Sequence, residues 1–412
     1  MKYIAITYGT EGDARPLAAL CRALIDAGHE ARLLADAATL GSAHALGVPT
    51  TALAGDIKGA LQPGGGISGV VAGGDGFTAT AKALARIANA NTEAWLRTTM
   101  DAAADAGCDA LIVSGLAAFV GLSAAERLGV KAIGTGPIPI TPTAAFPSPF
   151  LPPAYVPRML NRASHRFVNA MLWRAFRKAT NHARERVCGL APRGSVWTDH
   201  PMLYGVSPAL LPRPGDWPAN AHVCGQWSMP TPEWSPPQAL QDFLGAGEAP
   251  VYVGFGSMVG FDRERLPDVV AEAVAGRRTL FNPGWSGADT AGLPDNIFVV
   301  GEAPHAWLFP RTSLVVHHGG SGTTHSAARA GVPSVVVPFA GDQPFWAARL
   351  REAGVAGDPV DATPLRPVTL TRGIEFAERA GVRARARALG EAMAKEDGLA
   401  TAVPLIEALA SR

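Results

Sequence analysis

Short apolar runs that stop at glycine alternate with amphipathic stretches along almost the whole chain. KYIAITYG, EARLLA, CDALIVSG and KAIGTGP read as strands. PLAALCRALIDAGH, closed at Gly28, and AAFVGLSAAERLG read as helices between them. Strands that are apolar nearly throughout are buried on both faces, the pattern of a parallel sheet covered by helices. The alternation restarts after residue 240 with PVYVGFGS, a helix from Arg263 to Ala275, RRTLFNPG, NIFVVG, TSLVVHHGG, a helix stopped by Gly331, and PSVVVPF. Between the two series lies GQWSMPTPEWSPP, whose prolines break the pattern and mark a linker. The expected fold class is α/β, with two domains of similar size.

At 412 residues and 48% hydrophobic content, each half can bury a core. Charged residues make up 17% and the net charge is +1, which argues against a nucleic-acid partner held by bulk charge. Cys21, Cys108, Cys188 and Cys224 form no C-x-x-C pair, so a zinc or thioredoxin-type site is not expected and a reducing compartment fits. The N-terminal apolar run is too short for a signal peptide, and LIVSGLAAFVGLSAA is broken by Gly and Ser. The expectation is a soluble, cytoplasmic protein.

Two segments depart from the alternation. GGGISGVVAGGDG, between Gly55 and Gly76, reads as a mobile loop of the kind that covers a site. After the proline-rich GPIPITPTAAFPSPFLPPAYVP comes a long helix near 158–186. At about 100° per residue, Arg162, Arg166, Arg177 and Arg184 share one face of it, and Leu160, Phe167, Val168, Met171 and Leu172 share another. Two readings are open: a surface helix with an apolar inner face, or a basic face that rests on anionic lipid at the membrane periphery.

The stretch VVHHGGSGTTHSAARAGVPSVVVPFAGDQP, from Val315 to Pro344, concentrates the chemistry. It is a strand, a glycine-rich turn, a helix and a further strand. Ligands of parallel sheets bind at this carboxyl edge, where a helix N-terminus offers unpaired amides and a positive dipole end. Gly319, Gly320 and Gly322 admit close approach, and Thr323 and Thr324 add hydroxyls. These parts suit a diphosphate, although no G-K-[ST] closes a Walker A loop. Strand alternation directs His318 to the phosphate and leaves His317 structural. One unit further on, Asp342 and Gln343 offer acceptors and donors for sugar hydroxyls. The glycine turn of PVYVGFGSMVG is not a full dinucleotide fingerprint. It adds Ser257 and its amides from the facing side.

HHGGSGTTHSAARAGVPSVVVPFAGDQPFWAARL resembles the nucleotide-sugar signature of glycosyltransferase family 1, which has the GT-B fold. GTEGDARP resembles the G-[ST]-x-G-D-x-x-P opening of its sterol and antibiotic glycosyltransferases. MLWRAFRKATNHARERVCGL and LYGVSPALLPRPGDWPANAHVCGQW are similar to the sterol 3β-glucosyltransferase branch. The resemblance implies two facing Rossmann-like domains with parallel sheets and a cleft between them. Its parts would be an acceptor domain at 1–224, a linker at 225–239, a nucleotide-sugar domain at 240–393 and a returning C-terminal helix at 394–412. It further implies that His318, Gly320 and Thr323 contact diphosphate, that Asp342 and Gln343 contact the sugar, and that Asp13 is the general base. GEAPH stands where plant relatives carry W-A-P-Q. Glu302 therefore replaces the tryptophan that stacks on the nucleotide base, and Trp285 with Ala303 become the base-binding candidates.

The expected reaction is displacement at the anomeric carbon by an acceptor hydroxyl, with leaving-group charge caught by fixed amides and His318. Asp13, beyond the first strand, is the base. Its alternative role is N-cap of a helix beginning near Pro16. No D-x-D occurs, so transfer is expected to be inverting and metal-independent, with no cofactor. The donor is a UDP-sugar, with a dTDP-sugar as the alternative. Phe77, Phe146 and Met171, with Trp95, Phe119, Phe150 and Trp173, favour an apolar acceptor such as a sterol, another lipid alcohol or a polyketide. A nucleotide-sugar epimerase and a non-catalytic nucleotide-sugar-binding partner are the rival readings.

Overall fold

The computed structural model describes residues 1–61, 76–229, 234–256, 258, 262, 264–284 and 286–411. The side chains of 61 and 76–83 are not described. The Gly-rich stretch 62–75, Ser257 and Trp285 lie outside the described residues, as does the side chain of Phe77.

Two parallel sheets form. The first runs β3-β2-β1-β4-β5-β6-β7, made of β1 (Lys2–Ile6), β2 (Glu30–Asp36), β3 (Thr50–Leu53), β4 (Ala110–Val113), β5 (Lys131–Gly136), β6 (Met202–Tyr204) and β7 (Ala221–Val223). The second runs β10-β9-β8-β11-β12, made of β8 (Val251–Gly254), β9 (Thr279–Asn282), β10 (Ile297–Val299), β11 (Leu314–His317) and β12 (Ser334–Val336). Strand order reverses beside β1 in one sheet and beside β8 in the other. Crevices open at such points, outside the carboxyl ends of the strands. Pairing Ile6 with Val113 puts the loop after β1 beside Ser114, and pairing His317 with Gly254 puts His318 beside the turn after β8.

Numbering the helices of nine residues or more, α1 (Glu11–Asp26) follows β1, and α2 (Gly76–Ala106), α3 (Ala118–Leu128) and α4 (Asn161–Cys188) cover the opposite face of the first sheet. In the second half, α5 (Leu266–Val274), α6 (Ser321–Arg329), α7 (Gln343–Glu352), α8 (Pro367–Ala377), α9 (Ala380–Ala394) and α10 (Gly398–Ala410) follow in order. The first sheet packs Leu17, Leu20 and Leu24 of α1 with Ala402 and Ile406 of α10 on one face, and Trp95 and Phe176 on the other. A third cluster joins the halves. Phe146, Tyr204 and Trp217 pack with Phe345, Trp346, Leu350 and Met393, and the Phe146 and Phe345 rings lie 5.2 Å apart.

The last helix returns to the first half. Its start crosses the chain at Gly225, whose φ is 96°, and a Cβ on Gly398 would meet Gln226 O and Gly225 O at 2.5 Å. His29 Nε2 to Glu407 Oε1 at 2.7 Å and the Ser207 hydroxyl donating to Glu396 Oε1 at 2.7 Å fasten the return.

The long helix corrects one expectation. Leu160, Phe167 and Met171 stand outward rather than forming an inner face, while Arg184 is buried. Apolar periodicity does not say which stripe its neighbours cover. In α4 the covered stripe carries Val168, Trp173 and Phe176 beside polar Ser164, His165 and Thr180. Arg184 is tolerated inside because both of its terminal nitrogens donate to Glu126, at 3.0 and 2.9 Å, and one also donates to the Ala191 carbonyl.

Candidate active site

Asp13 sits in the first turn of α1, which begins at Glu11 and not near Pro16. Thr10 is the N-cap, and Asp13 closes a capping box: Asp13 Oδ2 accepts from the Thr10 amide at 2.9 Å while Thr10 Oγ1 accepts from the Gly12 amide at 3.3 Å. Asp13 is therefore the third helical residue and not the N-cap. Its other oxygen, Oδ1, has no hydrogen bond in the capping box. Burial pushes its carboxyl up to about 6 against the pull of the Thr10 amide, and repulsion from Asp342 adds to the rise. A carboxylate of the first half thus feels one of the second half across the cleft.

Asp342 immediately precedes α7, and its Oδ2 accepts from the Trp346 indole at 2.8 Å, one helical turn on. Burial raises it too to about 6, with the indole contact opposing. Trp346 in turn lies edge-on to His325, 4.9 Å between ring centres. His325 is buried, pushed down to about 4 by burial, and its Nδ1 donates to the Ser321 carbonyl at 2.8 Å. Neither Trp346 nor His325 was singled out from sequence. Their signal was the i, i+4 spacing to Asp342 and Ser321.

The mouth of α6 is the third component. Gly320 is its N-cap and no side chain caps it, so the first-turn amides of the helix remain open. Gly320 must lack a side chain because a Cβ there would collide with His318 Nε2. His318 is half-buried, pushed down to about 4 by burial, and its Nδ1 has no partner. His317 is fully buried and its Nδ1 accepts from the Gly319 amide at 3.1 Å, which fits the structural part assigned to it. Burial, with repulsion from His318 and His305, holds it down at about 3. Thr323 is half-buried and Gly322 exposed, whereas the buried Thr324 hydroxyl has no partner.

His305 lies at the same rim, stacked on Phe309 at 4.2 Å. Burial first, then Arg15 of α1 and His318, lower it to about 4. Arg15 and His305 thus form a second pair facing across the cleft. Ala303, two residues earlier, is half-buried against the second sheet's core.

Three expected contacts fall elsewhere. Gln343 is 7% exposed; its Oε1 accepts from the Phe339 and Ala340 amides at 2.7 and 3.2 Å, and its Nε2 donates to Met258 Sδ. It braces the loop before α7, so of the pair only Asp342 is not tied to that loop. Phe146 is 2% exposed inside the cluster that joins the halves, so it cannot line an acceptor pocket. Met171 is 49% exposed on the outer stripe of α4. Trp95 and Trp173 are also core, their indoles donating to the carbonyls of Ala54 and Gly194. Beneath Asp13 lies a cavity of about 10 Å³, the room of one water molecule, lined by Ser114, Thr135, Gly205 and Trp227 among others.

Two parallel α/β sheets, with an open helix mouth on one and an elevated carboxylate on the other, define the α/β class of the protein and the residues of its candidate site. The family described as Erythromycin biosynthesis protein CIII-like, C-terminal domain, matches residues 279–409. The chain is 32% identical over 416 residues to sterol 3-beta-glucosyltransferase UGT80B1 of Arabidopsis thaliana, covering 98% of this chain and 67% of that protein. It is 41% identical over 258 residues to O-mycaminosyltylonolide 6-deoxyallosyltransferase of Streptomyces fradiae, covering 60% of each. Among solved structures, glycosyltransferase VinC in complex with dTDP superposes with a TM-score of 0.68 at 18% identity, over 100% of both chains. This chain spans about two thirds of the length of its plant relatives. It belongs to glycosyltransferase family 1, in the branch that holds sterol and antibiotic glycosyltransferases, and its fold is GT-B. It is a glycosyltransferase.

Proposed function

We propose that this protein transfers a hexosyl group, glucose in the first instance, from a UDP-sugar to the hydroxyl of an apolar acceptor of the sterol or lipid-alcohol class. Asp13 Oδ1 takes the acceptor proton as the oxygen attacks the anomeric carbon. The bond to the diphosphate breaks on the opposite face, so the configuration inverts. Charge growing on the leaving diphosphate is met by the open amides of α6, by His318 and by the Thr323 hydroxyl. Asp342, held by the Trp346 indole, accepts from sugar hydroxyls. No metal is required, because amides and dipole replace the usual D-x-D-bound cation.

One observation carries the reading. A carboxylate raised to about 6, suited to proton abstraction near neutral pH, stands across the cleft from a helix mouth with open first-turn amides and an unpartnered histidine nitrogen. The plant sterol glucosyltransferase relative supports glucose and a sterol-like acceptor. The dTDP held by VinC, and Glu302 in the place of a stacking tryptophan, favour a second reading with a dTDP-sugar donor and a polyketide acceptor.

The test is an acceptor screen with UDP- and dTDP-sugars, read by mass, with the product anomer assigned and a chelator present. A glycoside of inverted configuration formed from UDP-glucose and a sterol is expected. Release of free or epimerised sugar without acceptor, or a retained configuration, would defeat the proposal.

A further inference from the structure

Five of the eight large apolar side chains exposed among the described residues lie between positions 155 and 171: Tyr155 at 83%, Met159 at 89%, Leu160 at 48%, Phe167 at 61% and Met171 at 49%. Leu160, Phe167 and Met171 fall within roughly 40° of one another on the helix. Met159 and Tyr155 stand in the short turns just before it. Arg174 and Lys178 continue this stripe along the helix, Arg166 and Arg177 flank it on one side, and Arg158 precedes it, all exposed. None of the five makes an ion pair among the described residues, whereas Arg162 pairs with Asp216, Arg184 with Glu126 and Arg186 with Glu93. Glu185 is the single acidic residue of α4.

We propose that this face docks the protein on an anionic phospholipid surface, with the apolar side chains seated at the headgroup boundary and the five cations on the lipid phosphates. The charge argues against a second copy of this chain as the occupant. A two-fold interface would set the same five cations against themselves. An uncharged bilayer would satisfy the apolar centre and leave the cations without partners. Among the described residues no helix is long and apolar enough to cross a membrane, so the contact is an interfacial one.

The face is tied to the acceptor side of the cleft. Within α4, Asn161 and Asn169 donate to the carbonyls of Ala144 and Ile140, and His165 Nε2 meets the Phe146 carbonyl at 3.1 Å. Those carbonyls belong to the segment that leaves β5, whose Gly136 and Pro137 line the cavity beneath Asp13. Docking would therefore present the acceptor entrance to a bilayer. That consequence rests on the lipid-alcohol reading above, while the docking itself does not.

The test is cosedimentation of the full chain with phosphatidylcholine vesicles, with and without about one quarter phosphatidylglycerol, at low and physiological salt. Binding is expected to the mixed vesicles alone and to weaken with salt. M159S/F167S and R166Q/R174Q should each lower it about tenfold or more, while transfer to a water-soluble acceptor is unchanged. Equal binding by the variants, or none by the wild type to phosphatidylglycerol vesicles, would overturn the proposal. So would a dimer in sedimentation equilibrium that the same variants dissolve. Vesicle binding without any sterol glycosylation would leave docking standing and remove only the acceptor assignment.

Discussion

Asp13 serves α1 with one oxygen and, in the proposed reaction, takes the acceptor proton with the other, so its two roles separate under substitution. Asn at this position keeps an acceptor for the Thr10 amide and loses the charge. Asp13→Asn should retain nucleotide affinity and lower kcat about 10² to 10⁴-fold, measured in steady state against UDP binding by calorimetry. Wild-type turnover in the variant would move the base elsewhere. In the wild type, kcat/KM should hold steady above pH 6 and fall as pH drops through about 6, because the protonated carboxyl no longer accepts a proton. Asp342 lies near the same value, so the acid limb belongs to the pair and not to either residue alone. A limb centred near 4 would mean that the base is not buried as described. The indole of Trp346 matters at this scale too, since it holds the Asp342 carboxylate at the start of α7.

The elements carry the site because each functional side chain stands at a strand end or in a first helical turn. That much was legible in the sequence: GTEGD after a first strand and HHGGSGTT after a later one placed Asp13 and His318 at carboxyl edges. What stayed hidden was anything set by packing between elements. The outward turn of Phe167 and Met171, the inward turn of Arg184 and the burial of Phe146 depend on which neighbours cover a stripe, and periodicity alone is silent on that. Gln343 looked free because its amide partners, Phe339 and Ala340, come from a loop whose path no pattern encodes. The return of α10 makes a further demand. Gly398→Ala would drive a Cβ into the Gln226 and Gly225 carbonyls, and should destabilise the protein by about 1–3 kcal/mol in chemical denaturation. An unchanged midpoint would show that the crossing is looser than drawn.

As a whole molecule, the protein is two sheets that reverse strand order at facing points, clamped by a shared aromatic cluster and a returning helix. The arrangement brings Asp13 of one half within electrostatic reach of Asp342 on the other, and the proposed chemistry needs both halves. The outer stripe of α4 gives the first half a second surface, the one proposed above to engage a bilayer. The central claim is that the open mouth of α6 receives the diphosphate. Crystals soaked with UDP test it most directly. The phosphates should lie on the amides that open α6, within hydrogen-bond reach of His318 and the Thr323 hydroxyl; phosphates lodged at any other strand end would contradict the account.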